Sequence, residues 1–248
     1  MSNIKAHVLR IAALLIVSTA ALQLAFALRI GLMAWIDPRS TTFQRSEAWR
    51  LISTHGELRW RQQWVPGDRI AGHLYRAVIA SEDAGFVGHS GIDWDAVEAA
   101  WERNQRAQAR AERLNAARPP DRPVPVKVVG GSTISQQLAK NLFLSGERTV
   151  VRKGQEMVLT MMLEAMLSKH RILEIYLNSV EWGEGVFGAE AAARHHFRTE
   201  ASRLSAPQAA RLAVMLPAPR RFEKRPNSAY IASRTSTILA RMGAVEVP

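Results

Sequence analysis

Apolar residues recur every three to four positions along most of this chain, and that period predicts helices. The expected helices cover residues 70–84, 94–114, 133–144, 150–167, 169–179, 188–196, 206–214 and 229–242. Ser168 is placed to cap the fifth of these, and Pro207 fits the first turn of the seventh. Alternation at period two is confined to one short stretch, 57–65, so a mostly α domain is expected.

Residues 11–28 carry no charge and are bracketed by Lys5 and Arg10 before and Arg29 after. This predicts one transmembrane helix, extended to residue 36 by Trp35 and Ile36 with Arg29 snorkelling. The cationic flank precedes the span, which leaves residues 1–10 as a cytoplasmic tail, 11–36 as the anchor and 37–248 as a domain outside. A cleavable signal peptide is the competing reading, with Ala25-Phe26-Ala27 resembling a cleavage site. The uncharged run is longer than the usual h-region of about 7 to 15 residues, which favours a retained anchor.

Glu82 breaks the pattern that surrounds it. It falls on the apolar stripe begun by Leu74 and Val78, where burial would disfavour the charged carboxylate and raise its pKa toward the range of a general base. A glutamate at a helix end is more often an ion-pair partner, so this position needs support from elsewhere. The helix runs into EDAGFVGHSGID, residues 82–93, whose glycines bend the backbone around Phe86, His89 and Asp93 as at the edge of a cleft.

GGSTISQQLAKN, residues 130–141, is a glycine turn opening into a helix, with Thr133 and Gln136 at capping-box spacing. Thr133, Gln137, Lys140 and Asn141 share a polar face beside the stripe of Ile134, Leu138 and Leu142. A lysine there, with free N–H groups at the helix start, suits an oxyanion such as a phosphate; an amphipathic surface helix is the plainer alternative. Arg152 and Glu156 are four apart, a spacing that ordinarily gives a surface pair of about 0.3 to 0.5 kcal/mol. In a functional reading, Arg152 faces an anion and Glu156 orders it. In KHRILEIYLN, residues 169–178, Glu174 and Asn178 are expected to be structural, satisfying backbone ends or a neighbouring arginine. Residues 183–188 have the glycine spacing of a dinucleotide-binding loop, but a helix is expected to end at Asn178, which makes them a helix-to-helix turn instead.

Composition narrows the chemistry. There is no cysteine, and seven scattered histidines without a His-Glu-x-x-His pair argue against a dedicated metal site. The net charge of +11 calls for an anionic partner. For an exported, tethered domain the anions first met are membrane lipids and phosphorylated lipids, and no nucleic acid is expected because no aromatic-interleaved basic run is present. Residues 102–129 are Ala/Arg-rich and then Pro-rich, and are read as an exposed, mobile basic flap. From Arg194 onward ten Arg or Lys face three acids, which predicts a solvated basic surface. The only Ser-x-x-Lys, Ser2 to Lys5, lies in the tail, so no exported acyl-transfer motif is present.

EDAGFVGHSGID, GGSTISQQLAKN, RKGQE and KHRILEIYLN, in that order, resemble the motifs of the peptidoglycan glycosyltransferases, specifically the monofunctional biosynthetic form. WGEGVFGAEAAARHHF and LSAPQAARLAVMLPAP continue the resemblance, which covers about residues 70–219. It implies an all-α, lysozyme-like, two-lobed domain behind one transmembrane helix, with the smaller lobe dipping into the membrane. It implies that Glu82 is the general base, that Lys140 and Arg152 stabilise a diphosphate, and that Glu156 is a second carboxylate near it. Asp83, Phe86, His89, Thr133, Gln137 and Asn141 match positions that line the cleft. The implied substrates are lipid II and a polyprenyl-diphosphate-linked glycan strand, handled on the periplasmic side of a bacterial inner membrane, with other cell-wall synthesis or division proteins as further partners. No cofactor is obligatory, though the family admits a divalent cation, Mg or Mn, at the diphosphate. A lytic, lysozyme-like enzyme shares the fold class and a lone glutamate, but would not need Lys140 and Arg152 at a diphosphate. A non-catalytic scaffold is the third reading, disfavoured because Glu82 is present.

Overall fold

The computed structural model describes residues 2–116, 118, 124–125, 130–147 and 149–248, with side chains from residue 4 onward. Among these are eleven α-helices and three very short strands, as a mostly helical reading requires. The first helix, α1 (Ser2–Leu32), is long and apolar enough to cross a membrane from Ile4 to Leu32. Its last turn is part of the globular core: Ile30 is fully buried, Met33 nearly so, and Phe26 meets Phe143 edge-on. Arg171 clamps the exit from α1 by donating to the Met33 carbonyl at 2.7 Å while pairing with Asp37 and Glu174. Residues that hydropathy alone assigns to the anchor therefore also belong to the domain.

A helix absent from the sequence expectations follows, α2 (Thr42–His55), held by a full capping box between Thr41 and Gln44. After β1 (Arg61–Gln62) comes α3 (Gly72–Glu82), which buries Leu74, Tyr75, Ala77, Val78, Ile79 and Ala80. Helix α4 (Trp94–Asn115) buries only Ala100 and Ala111 and leaves Trp94 and Trp101 largely exposed. Residues 102–115 of the expected flap thus continue an ordinary helix, and the flap reading for 117, 119–123 and 126–129 lies outside the described residues.

The centre is built by α5 (Ile134–Phe143), α6 (Val150–Met166) and α7 (Lys169–Ser179). Helix α7 is deeply buried, with Ile172, Leu173, Ile175, Tyr176 and Leu177 all sealed from solvent. Its Glu174 and Asn178 are structural, as expected. Asn178 makes a two-way exchange with the backbone of Val65, and Glu174 accepts from the Gly67 N–H and pairs with Arg171.

The glycines of residues 183–188 correct the sequence reading. They build a hairpin of β2 (Glu181–Gly183) and β3 (Val186–Phe187), with β1 added parallel to β3, in place of a helix-to-helix turn. Gly185 has φ +71°, and a Cβ there would lie 2.1 Å from the Arg59 carbonyl oxygen, so its role is close backbone approach. The chain ends in α8 (Ala189–Phe197), α9 (Ala206–Met215), α10 (Pro219–Glu223) and α11 (Ala229–Met242), with α9 and α11 packed on α3. Those contacts hold α3, whose last residue, Glu82, meets Gln137 of α5.

Candidate active site

Glu82 ends α3 half-buried. Its Oε1 accepts from Ser81 Oγ at 3.1 Å and its Oε2 from Gln137 Nε2 at 3.2 Å. Burial pushes the carboxyl above the ordinary glutamate range. The two hydrogen bonds work against that shift, and the neighbouring Asp83 adds to it. The stripe that put Glu82 out of pattern therefore places it where water is scarce.

Asp83 and Thr133 both bond across the loop that follows α3. Asp83 is buried, with Oδ2 accepting the Ile134 N–H at 2.9 Å and Oδ1 bonded to His89 Nε2 at 2.9 Å. Thr133 caps α5 through the Gln136 N–H and donates its hydroxyl to the Gly91 carbonyl. The start of α5 is thus filled by the protein's own groups, which corrects the expectation of free N–H groups awaiting an oxyanion there. Phe86 has no exposed surface and lies under the Lys169 ammonium, 4.5 Å from the ring centre. Asp83, Thr133 and Phe86 brace the loop 83–93 against α5 beside Glu82.

Asp83, His89 and Asp93 are the one group with metal-ligand spacing among the described residues. Every member is otherwise engaged. His89 Nδ1 accepts the Gly91 N–H, which leaves Nε2 to carry the proton toward Asp83, and Asp93 caps α4 through the Ala96 N–H. The donor set therefore fits a loop brace better than a metal.

Cationic side chains cluster at the far end of α5. A cavity of about 580 Å³ is lined by Gln137, Lys140, Asn141, Arg152, Lys153 and Glu156, among others, and continues to Glu47 and Glu181. Glu156 is buried, and both of its oxygens are taken, one by Arg152 Nη1 at 2.9 Å and the other by Lys153. Lys153 was not singled out in the sequence, although its spacing of three from Glu156 would have found it. Arg152 Nε is sealed from water without a hydrogen-bond partner among the described residues, an unmet donor of the kind a bound anion would satisfy. The Lys140 ammonium makes no hydrogen bond or ion pair among the described residues. Its side chain is exposed overall, yet its ammonium is pushed below the ordinary lysine range. Loss of water around it is the main cause, and Arg152 and Lys153 add to the shift while Glu156 opposes it. These groups lie around the first turn of α6, where the helix dipole also favours an anion.

A second cavity of about 670 Å³ is lined by Gly85, His89, Asp93, Trp94, Met157 and Met161, among others. Glu82 lies next to both cavities without lining either: its own loop lines one and its amide partner Gln137 lines the other. Glu82 itself is not among the residues lining the cationic cavity. Of the residues picked out in the sequence, the structure gathers Gln137, Lys140, Asn141, Arg152 and Glu156 around one space.

A family model described as Transglycosylase matches residues 50–113 and 121–243, most of the chain outside α1. The chain belongs to the transglycosylase family. Among similar proteins, a biosynthetic peptidoglycan transglycosylase from Herminiimonas arsenicoxydans is 52% identical over 92% of this chain and 91% of its own length. Proteins of the same description from Burkholderia thailandensis and Bordetella pertussis are each 53% identical, over 92% and 87% of this chain and 82% and 84% of their own lengths. The transglycosylase match takes in every residue lining the two cavities except Phe43, Ser46 and Glu47 of α2.

Proposed function

We propose that this transglycosylase polymerises peptidoglycan glycan strands from lipid II. Glu82 takes the proton from the 4-hydroxyl of the acceptor N-acetylglucosamine as that oxygen bonds to the anomeric carbon of the N-acetylmuramic acid on the growing strand. The bond from that carbon to the diphosphate breaks on the opposite face, with inversion, and polyprenyl diphosphate departs. The observation that carries this reading is the pairing of a half-buried, raised-pKa carboxylate with a cavity walled by Lys140, Arg152 and Lys153, in a family member whose relatives are biosynthetic peptidoglycan transglycosylases. A diphosphate leaves carrying its own charge, so cations near it lower the barrier and no strong general acid is needed. No cofactor is obligatory in this scheme, and a divalent cation on the diphosphate would add to the three cationic side chains, not replace them.

The apolar α1 fits a single-pass anchor that holds the enzyme at the bilayer where a lipid-linked substrate resides, with the catalytic domain on the periplasmic side of the inner membrane. The membrane lipids and other cell-wall synthesis or division proteins remain proposed partners. The lytic alternative is separated by product. One preparation offered lipid II should yield uncrosslinked glycan and release polyprenyl diphosphate, without penicillin sensitivity; offered purified sacculi, it should release nothing. Soluble muropeptides from sacculi with no polymer from lipid II would overturn the synthetic reading.

A further inference from the structure

The hydrogen bonds that hold Glu82 end on a buried phenol. Tyr176 Oη donates to Gln137 Oε1 at 2.8 Å, and Gln137 Nε2 donates to Glu82 Oε2 at 3.2 Å. An amide has one accepting end and one donating end, so whichever group claims one end decides what the other presents. Tyr176 has no exposed surface, and burial holds its hydroxyl well above the ordinary tyrosine range, so it keeps its proton and needs an acceptor. With the Gln137 amide turned over, that proton would face an NH2 group, and a carbonyl oxygen would face the carboxylate of Glu82. Both contacts are wrong, and at the sealed Tyr176 end water cannot repair them.

We propose that Tyr176 is a positioning residue for glycosyl transfer: its hydroxyl locks the Gln137 amide in the orientation that presents an N–H to Glu82. This rests on the reading of Glu82 as the general base. The consequence is chemical, because an N–H donated to Glu82 favours the ionised, proton-accepting form, whereas a carbonyl in its place favours the protonated form. The other groups around Glu82 leave this contact decisive. Ser81 supplies the second donor, and Asp83 opposes ionisation from beside it, with His89 and Lys169 in turn acting on Asp83. Helices α9 and α11, packed on α3, bury only apolar side chains.

The test is the pH dependence of kcat/KM on lipid II for the full chain, Tyr176→Phe, Gln137→Leu and the double variant. Removing the Tyr176 hydroxyl should move the acid limb to higher pH and slow the reaction roughly tenfold on that limb, with recovery toward wild type as pH rises. Gln137→Leu should move the limb the same way, and the double variant no further, because Tyr176 acts through Gln137. A uniform loss at all pH values with the limb unmoved, or additive shifts in the double variant, would overturn the proposal. Should Tyr176→Phe lose its helical circular dichroism, a fluorinated tyrosine at 176 keeps the ring while strengthening the donor. It should move the limb to lower pH, and an unmoved limb would again overturn the proposal. Glu82→Gln run alongside separates the two readings. Activity retained in it removes the base assignment itself, whereas an inactive Glu82→Gln with an unmoved limb in Tyr176→Phe removes only the role of Tyr176.

Discussion

Replacing Glu82 by glutamine changes one atom and should separate catalysis from stability. Glu82 accepts from Gln137 through one oxygen and from Ser81 through the other. In the variant the new amide oxygen can still accept from Gln137, and its NH2 can donate to the Ser81 hydroxyl, which accepts as readily as it donates. No cavity and no unpaired polar group is created. The burial that raises the pKa of Glu82 above its unfolded value makes the ionised side chain a cost to folding at neutral pH. That group favours the folded state only below its unfolded pKa, and the benefit is lost as pH rises through the folded one. The amide removes this cost, so the melting temperature of Glu82→Gln at pH 7 should equal or exceed that of the wild type. The rate should move the other way, since loss of general-base catalysis is worth roughly 10² to 10⁴, or about 3 to 5 kcal/mol in the barrier. Lipid II consumption by detergent-solubilised full-length protein measures this, with circular dichroism melts on the same samples. A variant that keeps a tenth or more of wild-type turnover, or that is inactive only because it melts early, would refute the reasoning.

Lys140→Ala is expected to lower kcat on lipid II by at least roughly tenfold with an unchanged melting temperature, because the Lys140 ammonium makes no bond among the described residues that the fold would miss. Arg152→Ala should lower activity similarly but also destabilise by about 1 to 3 kcal/mol in denaturant titration, since buried Glu156 then keeps only Lys153; equal stability of both variants would contradict the pairing geometry. Deleting residues 1–22 should leave a folded domain with poor activity on membrane-embedded substrate. Deleting residues 1–36 removes Ile30 and Met33 from the core and should cost about 3 to 6 kcal/mol more, read as an earlier thermal transition.

What the sequence determined by itself is everything that acts within about four residues. The helices of residues 169–179 and 229–242, the capping box of Thr133 and Gln136, the Ser168 cap and the Arg152–Glu156 pair are all contacts between near neighbours, and their spacing is written in the chain. Helix α2 escaped detection because its inward face is Gln44, Glu47 and Leu51, too polar to show the period, although its capping box was equally local. Tertiary structure alone decided the rest of the site. Asp83 occupies the start of α5 from 51 residues away, and Tyr176 reaches Glu82 only through Gln137, 39 residues back along the chain. It also drew Ile30 out of an anchor-like run into the core and bent the glycines after Asn178 into a hairpin. A residue type and its spacing specify what it can bond with, but a hydrogen bond spans only about 3 Å. Which distant partner lies within that reach is settled by how the helices pack.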